Sequence, residues 1–434
     1  MKCLPLVLFA CTVGPDAPRA AAMRVSEAGQ LIGGPKALGQ IGDYLLENDQ
    51  IRVIIENTGV GRSSTPFGGS LIDADLRRPA GSGSRGNDEM GELLPSFLLE
   101  LMDPVSIKVT ADGLDGGPAI VTEDGTDGDL LQMVAILNSG LLYPPDLRYR
   151  EEWKLAPGRR YVEITTSITN TSSSAHPLPY LNPPELKNLG IDIPDLDKIQ
   201  LSVPLGHFVI FGAENQAFTP GVAGFNVRFA IEDTYPKAKG FPAFPGLVAE
   251  YLATRGRGVS YGIMVPASAD DYPNAFADLY APGQEVTDHS MLLPYVYAAV
   301  TGVYTANPPP VLAAGATYSF KTYFVIGRGD VASVVDVMQE IRGTQTGSFA
   351  GRVLDALTQA PVDHSAVVVQ DAAGRYVDEI DTDANGAFKG NLPAGSYRYQ
   401  IVTNVRPTTA PKSVNVAVGA TTSVPAELSI GMVP

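Results

Sequence analysis

The chain has 434 residues, room for two or three domains, with 44% hydrophobic against 18% charged side chains. Its 45 glycines and 35 prolines are spread along the chain and read as turns between short strands, not as disorder. A net charge of −16 without any cluster of five basic residues repels phosphate backbones and excludes nucleic acid as a partner.

Both cysteines, Cys3 and Cys11, lie in the first eleven residues. Lys2 precedes a short apolar run that closes on Leu8-Phe9-Ala10-Cys11. This segment resembles the lipobox of bacterial lipoprotein signals. The resemblance implies cleavage before Cys11 and acylation of its thiol. Thr12 rather than aspartate after the cysteine resembles the outer-membrane pattern, which places the chain outside the cytoplasm. An ordinary secretory signal cut near Ala20-Ala21-Ala22 would instead give a periplasmic or secreted protein, and a cytosolic chain is the third reading. After residue 11 no apolar run reaches the ~18 residues of a spanning helix, so the expected membrane partner is a lipid on Cys11. The rest of the chain has no thiol, and no disulfide can brace it. Residues 12–25 read as a tether.

A strand-rich region follows. Residues 43–55 read as two strands around an Asn-Asp turn, 58–69 as a Gly/Ser/Pro loop, and 70–76 as a strand. Glu92 to Met102 fits either a short helix or a strand. The clearest hairpin joins Tyr149–Leu155 to Tyr161–Asn170 through Ala156-Pro157-Gly158-Arg159-Arg160. Its second arm puts Tyr161, Glu163 and Thr165 on one face and Val162 and Ile164 on the other. Further strands are expected near 199–212, 225–232, 246–253, 258–266, 286–304 and 316–327. One helix is expected at the domain junction. Asp330 is its N-cap, Val331, Val334, Val335, Met338 and Ile341 form its apolar stripe, and Gly343 is its stop.

After Gly347 the pattern restarts as about seven short strands in some eighty residues, a sandwich signature. Gly351-Arg352-Val353, Asp381-Thr382-Asp383-Ala384-Asn385-Gly386-Ala387-Phe388 and Leu392-Pro393-Ala394-Gly395-Ser396-Tyr397 resemble the carboxypeptidase regulatory-like family. That family implies a transthyretin-like, Greek-key β-sandwich with a non-catalytic role in spacing, stability or adhesion. The first 345 residues resemble the galactose-mutarotase-like supersandwich. The carriers are Phe67-Gly68-Gly69-Ser70-Leu71-Ile72-Asp73, the Trp153–Asn170 hairpin, and Gly327-Arg328-Gly329-Asp330. The expected organisation is a signal at 1–11, a tether at 12–25, a large β-sandwich at 26–346 and a regulatory-like β-sandwich at 347–434. The fold class is mainly β with one clear helix.

His176, His207, His289 and His364 are mutually distant in sequence, so each reads as a surface or structural residue, and no metal site is expected. No Walker loop, GxSxG or dinucleotide-binding fingerprint occurs, and no cofactor is expected. Asp381 to Gly386 copies half a calcium loop, but Leu392 stands where the bidentate glutamate belongs, so it reads as a turn. Glu123 to Asp129 reads as an acidic turn, with a calcium loop as the alternative. The mutarotase resemblance implies a general acid and base around a sugar ring. His176 is nearest the position such a histidine would take. Arg62 can donate to sugar hydroxyls and Trp153 can stack on a sugar face. The alternatives are a solvent-exposed loop arginine and a packing tryptophan.

The expectation is a non-catalytic cell-envelope lipoprotein that binds or presents at the surface, toward glycan or another envelope protein. A carbohydrate-active enzyme of epimerase or lyase type is the alternative, and a purely structural envelope component is the third. Two carboxylates or a Glu–His pair in a cleft of the large domain would favour the enzyme.

Overall fold

A computed structural model describes residues 18–63, 65–79, 85–97, 100–129, 147–177, 205–212, 215–218, 251–264, 291–295, 300–305, 311–403 and 407–429. Cys11, residues 12–17 of the expected tether and the strand expected near 225–232 lie outside these residues. The described part is mainly β, as expected, with one α-helix.

The first strands are β1 (Ala20–Arg24), β2 (Tyr44–Asn48), β3 (Ile51–Ile55), β4 (Leu71–Leu76), β5 (Met90–Phe97) and β6 (Glu100–Asp112). Next come β7 (Ala119–Asp129), β8 (Leu147–Leu155), β9 (Tyr161–Asn170), β10 (His176–Pro177), β11 (Leu205–Phe211) and β12 (Gln216–Phe218). The large domain closes with β13 (Tyr251–Arg255), β14 (Ser260–Met264), β15 (Met291–Tyr295), β16 (Val300–Thr305), β17 (Val311–Leu312) and β18 (Thr317–Gly327). Strands β1 to β9 form an antiparallel meander, and the sheet continues through β18, β14, β13 and β12. Strand β11 joins by pairing with both β5 and β16.

Two sequence expectations change here. Ala20–Arg24, expected in the tether, pairs in full register with β2, from Ala20 opposite Asn48 to Arg24 opposite Tyr44. A secretory cut near Ala20–Ala22 would remove part of this strand. Glu123 to Asp129, expected as an acidic turn or calcium loop, lies in β7 and pairs with both β6 and β8. The open choice at Glu92 to Met102 resolves as strand over its described residues, 92–97 and 100–102.

Long-range hydrogen bonds tie the early strands of the sheet to later ones. The Tyr44 hydroxyl donates to the Ile107 carbonyl at 2.8 Å, and the Asn48 amide donates to the Ala156 and Arg159 carbonyls at 2.8 Å each. Between the layers lie Leu46, Val53, Ile55, Val121, Trp153, Ile164, Tyr261 and Phe324, all fully buried. The hairpin of β8 and β9 sets the periodicity. Residues 162, 164, 166, 168 and 170 are buried and their neighbours half-buried, as the alternation requires.

Helix α1 (Ala332–Ile341) follows β18. The Asp330 carboxylate accepts the Ser333 N–H at 3.0 Å, the N-cap bond expected. The stop is a Schellman motif at Gly343, whose φ is +64°. Thr344 N–H reaches the Gln339 carbonyl at 2.9 Å and Gly343 N–H the Glu340 carbonyl at 3.0 Å. Val331, Val334, Val335 and Met338 are buried against Phe218, Tyr251 and Met264 of the large domain.

The small domain starts at Thr346, three residues past Gly343. Its strands are β19 (Thr346–Asp355), β20 (Ala366–Gln370), β21 (Tyr376–Asp381), β22 (Ala387–Pro393), β23 (Gly395–Val402), β24 (Lys412–Val416), β25 (Thr421–Ser423) and β26 (Glu427–Ser429). One sheet runs β21-β20-β23-β24, and the other is β22-β19-β25 with β26 also on β19. Phe349 sits between them, with its ring centroid 5.2 Å from Phe388 and 5.1 Å from Tyr399. The single strand expected from Ser423 to Leu428 is split around Pro425, which has no N–H to donate. Asp381 ends β21, and Thr382 to Gly386 form the expected turn. The Asp383 carboxylate accepts the Asn385 and Ala387 N–H groups at 2.8 and 2.9 Å.

Candidate functional site: a buried carboxylate–histidine cluster

Four adjacent strands place polar side chains on the inward face at one level of the large domain. In β7, Ala119, Val121 and Glu123 share the buried phase, and in β8 Glu151, Trp153 and Leu155 do. Register sets Glu123 opposite Glu151, and Glu151 opposite Thr166 of β9. In β18, Phe320 stands opposite Thr166, and the buried Thr322 lies two residues further along the strand, opposite Ile164. From the facing layer, β11 drives His207 into this group. Glu123 is 1% exposed, and Glu151, Trp153, Thr166, His207 and Thr322 are 0% exposed.

His207 is held on both ring nitrogens. Its Nε2 lies 2.9 Å from Glu151 Oε1, and its Nδ1 lies 2.7 Å from Thr322 Oγ1. Thr166 Oγ1 stands 3.4 Å from Nε2, and the Phe320 ring meets the imidazole edge-on at 5.8 Å. Trp153 Nε1–H donates to Glu123 Oε1 at 2.8 Å. The second oxygens, Glu123 Oε2 and Glu151 Oε2, have no hydrogen-bond partner among the described residues. Gly69, with φ at +85°, lies directly over Glu123, and a Cβ there would come within 2.6 Å of Oε2.

Burial decides the charge state. It pushes Glu123 well above the ordinary carboxylate range, and the neighbouring Glu151 adds to the rise. Burial raises Glu151 likewise and lowers His207 to about 3. Burial therefore favours the neutral form of all three groups. One assignment gives His207 a partner on each nitrogen: protonated Glu151 donates to Nε2, and Nδ1–H donates to Thr322. A Glu–His pair at hydrogen-bond distance is the hardware of proton transfer, which needs a reacting atom within ~3 Å of the acid or base. Here the surrounding volume is filled by Trp153, Thr166, Thr322 and Phe320. The bonds in place instead tie β11 to β8 and β18.

The expected saccharide contacts have other fates. Arg62 is not a loop arginine free in solvent, because two buried carboxylates hold it. Its Nε donates to Glu56 Oε1 at 2.5 Å, and its Nη2 donates to both Asp43 oxygens at 2.7 Å. Both carboxylates are buried, and the pair closes the 58–69 loop onto β2 and β3. Burial raises Glu56 despite Arg62, whereas for Arg62 the bonds to Asp43 and Glu56 outweigh burial and hold its pKa above the ordinary value. Trp153 packs in the core and presents no face to a ligand from solvent. The backbone of His176 pairs with Leu312, while its side chain lies outside the described set. The structure does not bring Arg62, Trp153 and His176 together through any hydrogen bond or ring contact among the described residues. His207, Glu151 and Glu123 are the residues that sequence reasoning missed.

Residues 348–429 match the family model of the carboxypeptidase regulatory-like domain. No curated protein sequence matches the chain. Similar solved structures include a putative aldose 1-epimerase from Klebsiella pneumoniae, 11% identical over 72% of this chain and 85% of that one, with a TM-score of 0.33. A galactose mutarotase-like protein from Lactobacillus casei is 9% identical over 66% of this chain and 100% of that one, TM-score 0.32. A TPR-domain containing protein from Parabacteroides distasonis is 9% identical over 71% of this chain, TM-score 0.35, and this chain spans 54% of its length. At these scores the likeness assigns no activity.

Proposed function

We propose that this chain is an exported envelope protein, anchored through a lipid on Cys11, whose large β domain is a non-catalytic body that binds or presents at the surface. The observation that supports this reading is the sealed state of the Glu151–His207 pair, with both imidazole nitrogens engaged and no exposed surface. The small domain serves as a spacer, the role its family match implies. Saccharide is the ligand class to screen first, on the sequence resemblance to the sugar-handling sandwich, with contacts from groups other than Arg62 and Trp153. The second reading, a carbohydrate-active enzyme, is favoured by the 2.9 Å Glu–His distance itself. Polarimetry of aldose mutarotation separates the two. The non-catalytic reading expects the uncatalysed rate. Acceleration that disappears in Glu151→Gln would overturn it. Labelling with a palmitate analogue tests the anchor: wild type should be marked and Cys11→Ser should not.

A further inference from the structure

The outer face of β2, β3 and β4 carries a second polar row, on the side opposite the buried cluster. Register sets Glu47 opposite Arg52, and Arg52 opposite Asp75. The loop after β1 covers the neighbouring part of this face with Ile32, which packs on Leu45 and Ile54. At its open end lies a pocket of 400 Å³. Four guanidiniums line it, those of Arg52, Arg77, Arg78 and Arg85, against two carboxylates, Glu47 and Asp75. Met23, Ile32, Leu45 and Leu76 supply its apolar wall.

The carboxylates orient the arginines without matching their number. Glu47 Oε2 accepts Arg52 Nε at 3.0 Å and also Arg77 Nη1. Arg52 is fixed further by its Nη2, which donates to the Gln30 carbonyl at 2.6 Å. Asp75 holds Arg78 in a two-point fork at 3.0 and 2.6 Å, and Arg78 Nη2 also donates to the Gly258 carbonyl at 2.9 Å. Arg77 is 45% exposed, and among the described residues its guanidinium is bonded to Glu47, with further donors on the pocket side. Arg85 is exposed, and among the described residues its guanidinium reaches the Ala28 carbonyl at 3.5 Å. Two guanidiniums are therefore in excess, on a chain whose net charge is −16.

We propose that this pocket binds a compact organic carboxylate, its anionic head between Arg77 and Arg85 and its body against the apolar wall. Planar guanidiniums pair with carboxylates in a fork, and a partly apolar cavity of this size suits a ligand of about one sugar ring. The site is separate from the buried cluster, so its failure leaves the non-catalytic reading standing, and the reverse holds.

Isothermal titration of the full chain tests it with galacturonate, galactose and inorganic phosphate as probes. Galacturonate should bind, more weakly as salt rises from about 20 to about 200 mM, and galactose should not. Arg77→Met and Arg85→Met should each weaken galacturonate binding by about tenfold or more. Both side chains are on the surface, and an unchanged melting temperature confirms that the fold is kept. Equal binding of galactose and galacturonate would overturn the proposal, as would no binding by wild type or affinity unmoved in both variants. Phosphate binding more tightly than galacturonate would overturn the assignment to carboxylates.

Discussion

Arg62 holds two buried carboxylates, and removing its side chain leaves them with backbone N–H donors but no cation. Asp43 and Glu56 are 2% and 1% exposed. Arg62→Ala is therefore expected to cost about 2–4 kcal/mol, below the full figure for a wholly buried pair because Arg62 itself is 22% exposed. Arg62→Lys should recover only part of this, since one ammonium cannot reproduce a fork across two carboxylates. Chemical denaturation of the three proteins checks the order. A wild-type-like Arg62→Ala would show that the triad contributes nothing. The same residue marks a limit of sequence reading: Arg62 lies in a Gly/Ser/Pro loop, and nothing local says that the loop folds back onto Asp43. The buried cluster was more legible. Glu151 shares a strand phase with Trp153, Glu123 shares one with Val121, and His207 shares one with Val209 and Phe211. A charged residue on the apolar phase of an alternating strand is the signal that pointed inward.

Local pattern was a better guide to the elements than to their neighbours. The hairpin of β8 and β9, helix α1 with its Asp330 cap and Gly343 stop, and the small sandwich all follow from alternation, capping and turn residues. Strand β1 was missed because Ala20-Ala21-Ala22 has no strand pattern of its own. Its place comes from pairing with β2, whose Leu46 and Tyr44 seal the core. The domain boundary leads to a prediction at this scale. The small domain's core is its own, apart from Ala332 of α1. Its other ties to the rest of the chain include the Tyr251 hydroxyl donating to the Val377 carbonyl at 2.9 Å and Asp336 accepting the Asn391 N–H at 3.1 Å. A fragment of residues 347–434 is therefore expected to unfold cooperatively on its own. A molten or aggregated fragment in a calorimetric scan would mean that α1 is part of its core.

At the scale of the molecule, buried acids set the response to pH. Burial raises Asp73 and Asp381 to about 6 and Asp88 to about 9. It also raises Glu123, Glu151, Asp378 and Glu379, the last against the pull of Arg255. A group whose pKa is higher folded than unfolded contributes stability that is present at low pH and lost as pH rises through the folded value. Asp73 and Asp381 lose theirs between about pH 4 and 6, and Asp88 continues to lose its share up to about pH 9. His207, lowered to about 3, acts oppositely, but only below about pH 6.5. The melting temperature should therefore fall by about 5 °C or more between pH 6 and pH 9. A flat or rising profile across that interval would contradict these assignments. Asp88→Asn should flatten it.

The account turns on whether the Glu151–His207 pair is sealed and neutral. A nitrogen-15 NMR titration of the full chain reads this directly, because the sequence has only four histidines and His207→Gln identifies the signal. The His207 imidazole should remain in one neutral tautomer from about pH 5 to pH 9. An imidazole that titrates near the ordinary value of about 6.5 would place it in contact with water and return the pair to the role of a catalytic acid and base.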